Sequence, residues 1–227
     1  MGCPVSEPTS VAALRKLSGT FKKFTCMPDG MHPRQFAELS DGALSTITVL
    51  YQLCDLCGQM PWQVSDVPMT FIAKPTGGVR GIGSNRAFNR LWQRTKREQV
   101  RTWEEANGAH PSFSVAKGKS PTEAIWRQSV RSEAGALQHW YVAILLWDLK
   151  KCFEFVVHRR LVSRAHWCGY PMQVLRVSVA QARWPRLLTM RTLVGVPLWA
   201  DNGLVAGGAF STLALKAYFQ HCQTQRG

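Results

Sequence analysis

The sequence predicts an α+β fold, and three observations carry that expectation. Helical periodicity recurs in several long segments, a tight turn at Pro75-Thr-Gly-Gly78 separates two short apolar runs, and an unbroken apolar segment runs from Tyr141 to Trp147. With 227 residues, 45% of them hydrophobic and 19% charged, the chain has enough material for a sizeable core and reads as globular.

Taken in order, residues 1–33 are broken by Pro4, Pro8, Gly19, Pro28, Gly30 and Pro33 and read as an irregular leader carrying the basic pairs Arg15-Lys16 and Lys22-Lys23. A helix is expected from Arg34 to Gln59, with Phe36, Leu39, Ala43, Ile47, Leu50 and Leu53 on one face. Pro68 to Ala73 and Val79 to Gly83 form a β-hairpin with Lys74 and Arg80 beside its turn. A basic helix follows from Asn85 to Glu105, then a Gly/Pro/Ser loop to Ser120. Ser120 serves as N-cap of the next helix, with Pro121 at its first position and Glu123 closing a capping box. Trp140 to Leu149 is the strongest strand candidate.

Helices are expected from His158 to Trp167 and from Pro171 to Trp184, the latter burying Val174, Leu175, Ser178, Val179 and Ala182. Leu187 to Trp199 is strand-rich, and a last helix begins near Gly207 with Phe210, Leu213, Ala214, Ala217 and Tyr218 as its buried stripe. Trp126, Trp140, Trp147 and Trp167 are expected to pack the core.

Charge narrows the class of partner. Lys and Arg number 28 against 14 Asp and Glu, a net charge of +14, which favours a polyanion through counterion release. Seven cysteines at irregular spacing do not form a disulfide framework and point to a reducing compartment. No apolar run reaches the roughly 20 residues that span a bilayer. Met1-Gly2-Cys3-Pro4-Val5-Ser6 fits a lipidation pattern, so a membrane partner is not expected unless Gly2 and Cys3 are lipidated. Cys54-x-x-Cys57, His166-x-Cys168 and His221-Cys222 lack a second ligand pair for zinc, and no Gly-x-Ser-x-Gly elbow is present.

The sharpest candidate for chemistry is Asp148, at the end of the apolar strand. A carboxylate there needs a neutralising partner, either a metal ion or a cation such as Lys150 or Lys151. Its surroundings are informative. Asp148-Leu-Lys-Lys-Cys-Phe153-Glu154-Phe-Val156-Val-His158-Arg-Arg-Leu161 resembles the first palm motif of reverse transcriptases, nearest the non-LTR retrotransposon form. Asp148, Phe153, Val156, His158 and Leu161 match in spacing, while Glu154 stands where that family usually has aspartate.

Two further segments fit the same resemblance. Gly203-Leu-Val-Ala206-Gly207-Gly208-Ala-Phe-Ser211-Thr-Leu213 is similar to the family's next motif at Gly203, Gly207, Ser211 and Leu213. Val205, Ala206 and Thr212 replace its prolines and glutamine, which puts ordinary template positioning in doubt. Upstream, Phe71-Ile-Ala-Lys74-Pro75-Thr-Gly-Gly78-Val-Arg80-Gly-Ile82 is similar to the family's fingers hairpin, followed by the basic helix with Arg86, Arg90, Arg94, Lys96 and Arg97.

The resemblance implies a right-hand polymerase: an antiparallel palm sheet flanked by helices, with a basic fingers extension. Divided accordingly, residues 1–33 are leader, 34–139 fingers-like and 140–227 partial palm. It implies RNA-directed DNA synthesis by two-metal nucleotidyl transfer, with Mg2+ ligated by Asp148 and by the Leu149 backbone carbonyl. Phe153 would act as a steric gate beneath the sugar of a dNTP, and Lys74, Arg80, Ala206 and Gly207 would line the nucleotide site. Arg86, Arg90, Arg94, Gly203 and Ser211 would contact an RNA template and DNA primer.

No Asp or Glu follows Asp201 in these 227 residues, so no counterpart of the family's Asp-Asp hairpin or thumb is expected within them, and Glu154 is not expected to substitute. The chain is expected to be silent as a polymerase, with magnesium a cofactor only of a complete domain. The alternative expectation is a non-catalytic, basic nucleic-acid-binding protein of retroelement descent. Either would work inside the cell, in the nucleus or the cytoplasm.

Overall fold

The computed structural model describes residues 8–25, 27–107, 119–144, 149, 151–190 and 193–224, with the backbone alone at 190, 193 and 221–224. Helix α1, Val11–Gly19, corrects the expectation of an irregular leader. The breakers fall at its margins rather than inside it, and the Ser10 hydroxyl caps it by accepting the Ala13 amide at 3.2 Å. Leu14 is fully buried, and Phe21 and Met27 join it in the core. Arg15 reaches Asp41 at 2.5 Å, and the Ser18 hydroxyl donates to the Pro33 carbonyl.

The single helix expected over 34–59 is two elements, a 3-10 helix Pro33–Glu38 and helix α2, Asp41–Cys57. Leu39 is extended, and Ser40 restarts the helix by accepting the Ala43 amide at 3.3 Å. That restart shifts the buried face onto Leu44, Tyr51 and Cys54, leaving Leu50 and Leu53 exposed.

Strands β1, Val67–Ala73, and β2, Val79–Gly83, form the expected antiparallel hairpin, with Met69 opposite Gly83 and Ala73 opposite Val79. Helix α3, Ala87–Asn107, docks on α2 through a buried polar cluster. There the Asp55 carboxylate accepts from Trp92 Nε1 at 2.9 Å and pairs with the Lys96 ammonium. Helix α4, Pro121–Leu137, starts as expected, with Ser120 accepting the Glu123 amide at 3.1 Å. The Glu123 side chain pairs with Arg127 instead of closing a capping box.

Residues 140–144 form no strand, contrary to expectation, and 145–148 lie outside the described residues. Trp140, Tyr141, Val142 and Ile144 are exposed. The central strand β1 is already paired on both edges, leaving this segment no ladder there to join. Helices α5, His158–Trp167, and α6, Met172–Ala182, follow, then strands β3, Arg186–Met190, and β4, Leu193–Val194, and helix α7, Ser211–Thr224.

The sheet runs β2-β1-β3-β4. It is mixed rather than antiparallel throughout, because β1 and β3 pair in parallel from Val67↔Arg186 to Thr70↔Thr189. A parallel pair requires a long crossover, which α3 to α6 supply. The α+β class holds, and a single sheet spans the 139/140 boundary. No described helix is long and apolar enough to cross a membrane.

The tryptophan expectation is corrected. Trp126, Trp140 and Trp167 are 66%, 68% and 53% exposed, whereas Trp92 and Trp103 fill the core; Trp147 lies outside the described residues. A buried indole needs an acceptor, and these two have one: Asp55 for Trp92, and the Cys168 carbonyl at 2.9 Å for Trp103.

Candidate functional site

Loop 203–208 is bound at both ends to segments far away in the chain. The Gly203 amide donates to the Val156 carbonyl and the Leu204 amide to the Phe153 carbonyl, both at 2.8 Å. At the other end the Gly83 amide donates to the Ala206 carbonyl at 2.7 Å, along the free edge of β2. Ser211 closes the loop, its hydroxyl donating to the Val205 carbonyl at 2.7 Å. The hairpin, the segment after Asp148 and the glycine-rich segment, separate in sequence, thus converge on one loop.

Two glycines make this approach possible. Gly203 has φ +89, and a Cβ there would lie 2.8 Å from the Glu154 carbonyl oxygen. Gly207 has φ +98, and its Cβ would lie 2.6 Å from the Gly83 carbonyl oxygen and 2.9 Å from Ile82 Cγ2. Both positions combine a left-handed backbone with contact against another main chain, which excludes other residues.

Gly207 therefore sits against Ile82. Alternation along β2 puts Arg80 on the same face, roughly 7 Å nearer the turn. Arg80 pairs with Ile72 across the hairpin, and Lys74 opens the turn, its amide donating to the Gly78 carbonyl at 3.0 Å. Lys74 and Arg80 are both exposed and make no ion pair among the described residues. A cationic hairpin tip thus lies beyond a surface where the backbone of Ala206 and Gly207 is closely approached.

The other expected residues divide. Asp148 lies outside the described residues. Leu149 is exposed, and Phe153 is half-buried against the core while its carbonyl holds Leu204. Among the described residues no three His, Cys, Asp or Glu side chains converge to hold a metal ion, so the implied Mg2+ gains no described side-chain ligand set. Ser211 is buried and its hydroxyl is taken by Val205, which makes it a brace of the loop.

Arg86 is also committed elsewhere. It forms a two-pronged pair with Asp66, Nε to Oδ1 at 2.5 Å and Nη2 to Oδ2 at 2.7 Å, and these hydrogen bonds raise its pKa. Arg90 and Arg94, with Arg97, instead line a cleft of about 790 Å³ between α3 and the start of α7, near Phe21 and Phe210. The Arg94 guanidinium lies 4.4 Å from the Phe21 ring centre. Burial first, then the Arg97 and Arg90 charges, pulls its pKa below the ordinary value. Among the described residues none of these three arginines has a carboxylate partner.

Sequence reasoning missed Gly83 as the dock for the loop, Phe21 as part of the cleft wall, and the part His158 plays. His158 is buried, with Nε2 2.6 Å from the Gly203 carbonyl oxygen. Its only sequence signal was the matched spacing from Asp148. In comparisons with known proteins, no family model matches the chain, and no curated protein is significantly similar to it.

Proposed function

We propose that this chain is a reverse-transcriptase-like domain of retroelement descent, whose complete form would carry out template-directed DNA synthesis. The observation that carries this reading is the convergence on loop 203–208: its amides bond to Phe153 and Val156, and its Ala206 carbonyl receives Gly83 of the hairpin. Three segments that resemble one family's motifs in sequence are also in contact in space, which unrelated coincidences would not require.

On this reading Lys74 and Arg80 receive the triphosphate of an incoming dNTP, arginine through its fork and lysine as a point charge. The backbone at Ala206 and Gly207 faces the nascent base pair, and Phe153 discriminates against a 2′-hydroxyl. Asp148 would ligate Mg2+, which supplies charge neutralisation at the reacting phosphate.

Titration with a fluorescent deoxynucleoside triphosphate tests the reading. Lys74→Ala combined with Arg80→Ala should weaken binding by about tenfold or more, the scale of a lost charge-assisted contact. Phe153→Ala should narrow the preference for deoxy over ribo triphosphate. Equal affinity in wild type and the double variant would remove the polymerase assignment.

A second reading, a non-catalytic nucleic-acid-binding protein, is favoured by Arg90, Arg94 and Arg97 along one cleft, none with a carboxylate partner among the described residues. It expects salt-sensitive oligonucleotide binding that survives Asp148→Asn but weakens when Lys74 and Arg80 are replaced by alanine.

A further inference from the structure

The His158 imidazole connects loop 203–208 to α6, and both of its nitrogens are engaged. Nε2 lies 2.6 Å from the Gly203 carbonyl oxygen, which can only accept, so Nε2 carries the hydrogen. Nδ1 lies 3.4 Å from Arg183 Nε, which can only donate, so Nδ1 keeps its lone pair. One species, the neutral Nε2–H tautomer, satisfies both neighbours.

We propose that Arg183 is a positioning residue that acts through His158, keeping loop 203–208 seated while the imidazole is neutral and releasing it when the imidazole takes a proton. An imidazolium would turn Nδ1 into a second donor facing the Arg183 N–H, with no acceptor between them. It would also place a third positive charge beside two existing ones. Arg183 follows α6 and Arg186 opens β3, and both act on the ring electrostatically. From the loop side the Gly203 carbonyl meets the ring, and on α5 itself Arg159 and Arg160 are exposed. Among the described residues the side chains acting on the ring are Arg183 and Arg186, with no carboxylate among them to compensate a new cation.

The direction of the effect follows from linkage. Burial first, then Arg183 and Arg186, lowers the imidazole pKa below its ordinary value, outweighing the Gly203 hydrogen bond that raises it. A depressed folded-state pKa gives stability that is complete above the ordinary value near 6.5 and is lost as pH falls toward the folded value. One proton is taken up, so loop opening can rise by at most about tenfold per pH unit within that window.

The loop belongs to the proposed nucleotide site, but its seating requires no bound nucleotide. The test is therefore amide hydrogen exchange on the whole chain without nucleic acid, read at Gly203 and Leu204 and corrected for intrinsic rates. In wild type, exchange should be slow near neutrality and should rise as pH falls below about 6.5.

His158→Gln places an amide nitrogen where Nε2 sits, so it should keep the loop slow and abolish the rise. Arg183→Gln keeps a donor at the Nε position without the charge and should shrink the rise. A wild-type rate that is flat with pH overturns the proposal, as does an unchanged acid rise in either variant. The nucleotide titration can fail while this exchange pattern stands, and the reverse, so the two ideas are separable.

Discussion

The amide of Gly83 and the carbonyl of Ala206 meet at 2.7 Å, fastening the outer edge of β2 to a loop from the far end of the chain. An edge strand presents unpaired donors and acceptors, and this bond covers one of them. The same contact holds Gly207 against Ile82 and so fixes the loop relative to Arg80.

Gly207 is the position where that arrangement is most easily broken. Gly207→Ala would force an L-residue into a left-handed backbone and press its Cβ on the Gly83 carbonyl. The expected loss is about 3 kcal/mol, at the upper end for a strained non-glycine residue. Gly195→Ala, whose Cβ would make an ordinary contact at 3.6 Å with Leu188, should change stability by less than about 0.5 kcal/mol. Urea unfolding of the two variants checks the contrast, and equal losses would mean the loop is not held as described.

The Asp55–Lys96 pair should behave as a buried ion pair, with side chains 5% and 8% exposed. Asp55→Leu removes both the carboxylate paired with Lys96 and the acceptor of Trp92 Nε1, so a loss of about 3–5 kcal/mol is expected. Adding Lys96→Met should recover much of it, since two apolar side chains carry no desolvation cost. Denaturant titration of both variants decides this; a double variant no better than the single one would show that the pair contributes net stability.

The hairpin was legible because its turn chemistry and two apolar runs are local, and the observed strands match it within a residue or two. Helices α5 and α7 were legible from periodicity for the same reason, although α7 begins at Ser211 rather than near Gly207, whose φ of +98 places it in the preceding loop. What could not be read was non-local. The parallel pairing of β1 with β3 depends on a crossover through four helices, and no local pattern specifies it. The loop bond to Gly83 depends on backbone alone, which leaves no side-chain signature. The site residues divide on the same ground: Lys74 and Arg80 were found by their place beside a turn, whereas the Asp66 carboxylate that engages Arg86 lies on the other side of the hairpin. In the leader, counting Pro and Gly hid a capped helix whose apolar side faces the core.

That helix is part of the folded unit, and Leu14 measures how much. Leu14 is fully buried, so Leu14→Ala should cost about 2–5 kcal/mol, the range for truncating a core leucine. Leu53→Ala on the exposed face of α2 serves as the control, with a change of under about 0.5 kcal/mol expected. Thermal unfolding followed by circular dichroism checks the pair. Equal transition temperatures for wild type and Leu14→Ala would mean that α1 is not docked.

Arg86 and Arg94, two turns apart on one basic stretch, should fail in different ways when replaced. Arg86→Ala leaves Asp66, whose side chain is 14% exposed, without its guanidinium. It should lose about 1–3 kcal/mol of stability while single-stranded oligonucleotide affinity changes little. Arg94→Ala removes a guanidinium from a cluster of like charges but also its contact with the Phe21 ring, so stability should change little. If the cleft receives a phosphate backbone, each of Arg90, Arg94 and Arg97 should lower the slope of log affinity against log salt by about 0.7 when replaced by alanine. Fluorescence anisotropy over a salt series, with melting curves on the same variants, separates the roles. A salt slope lowered as much by Arg86→Ala as by Arg94→Ala would mean that Asp66 does not hold Arg86 away from the ligand.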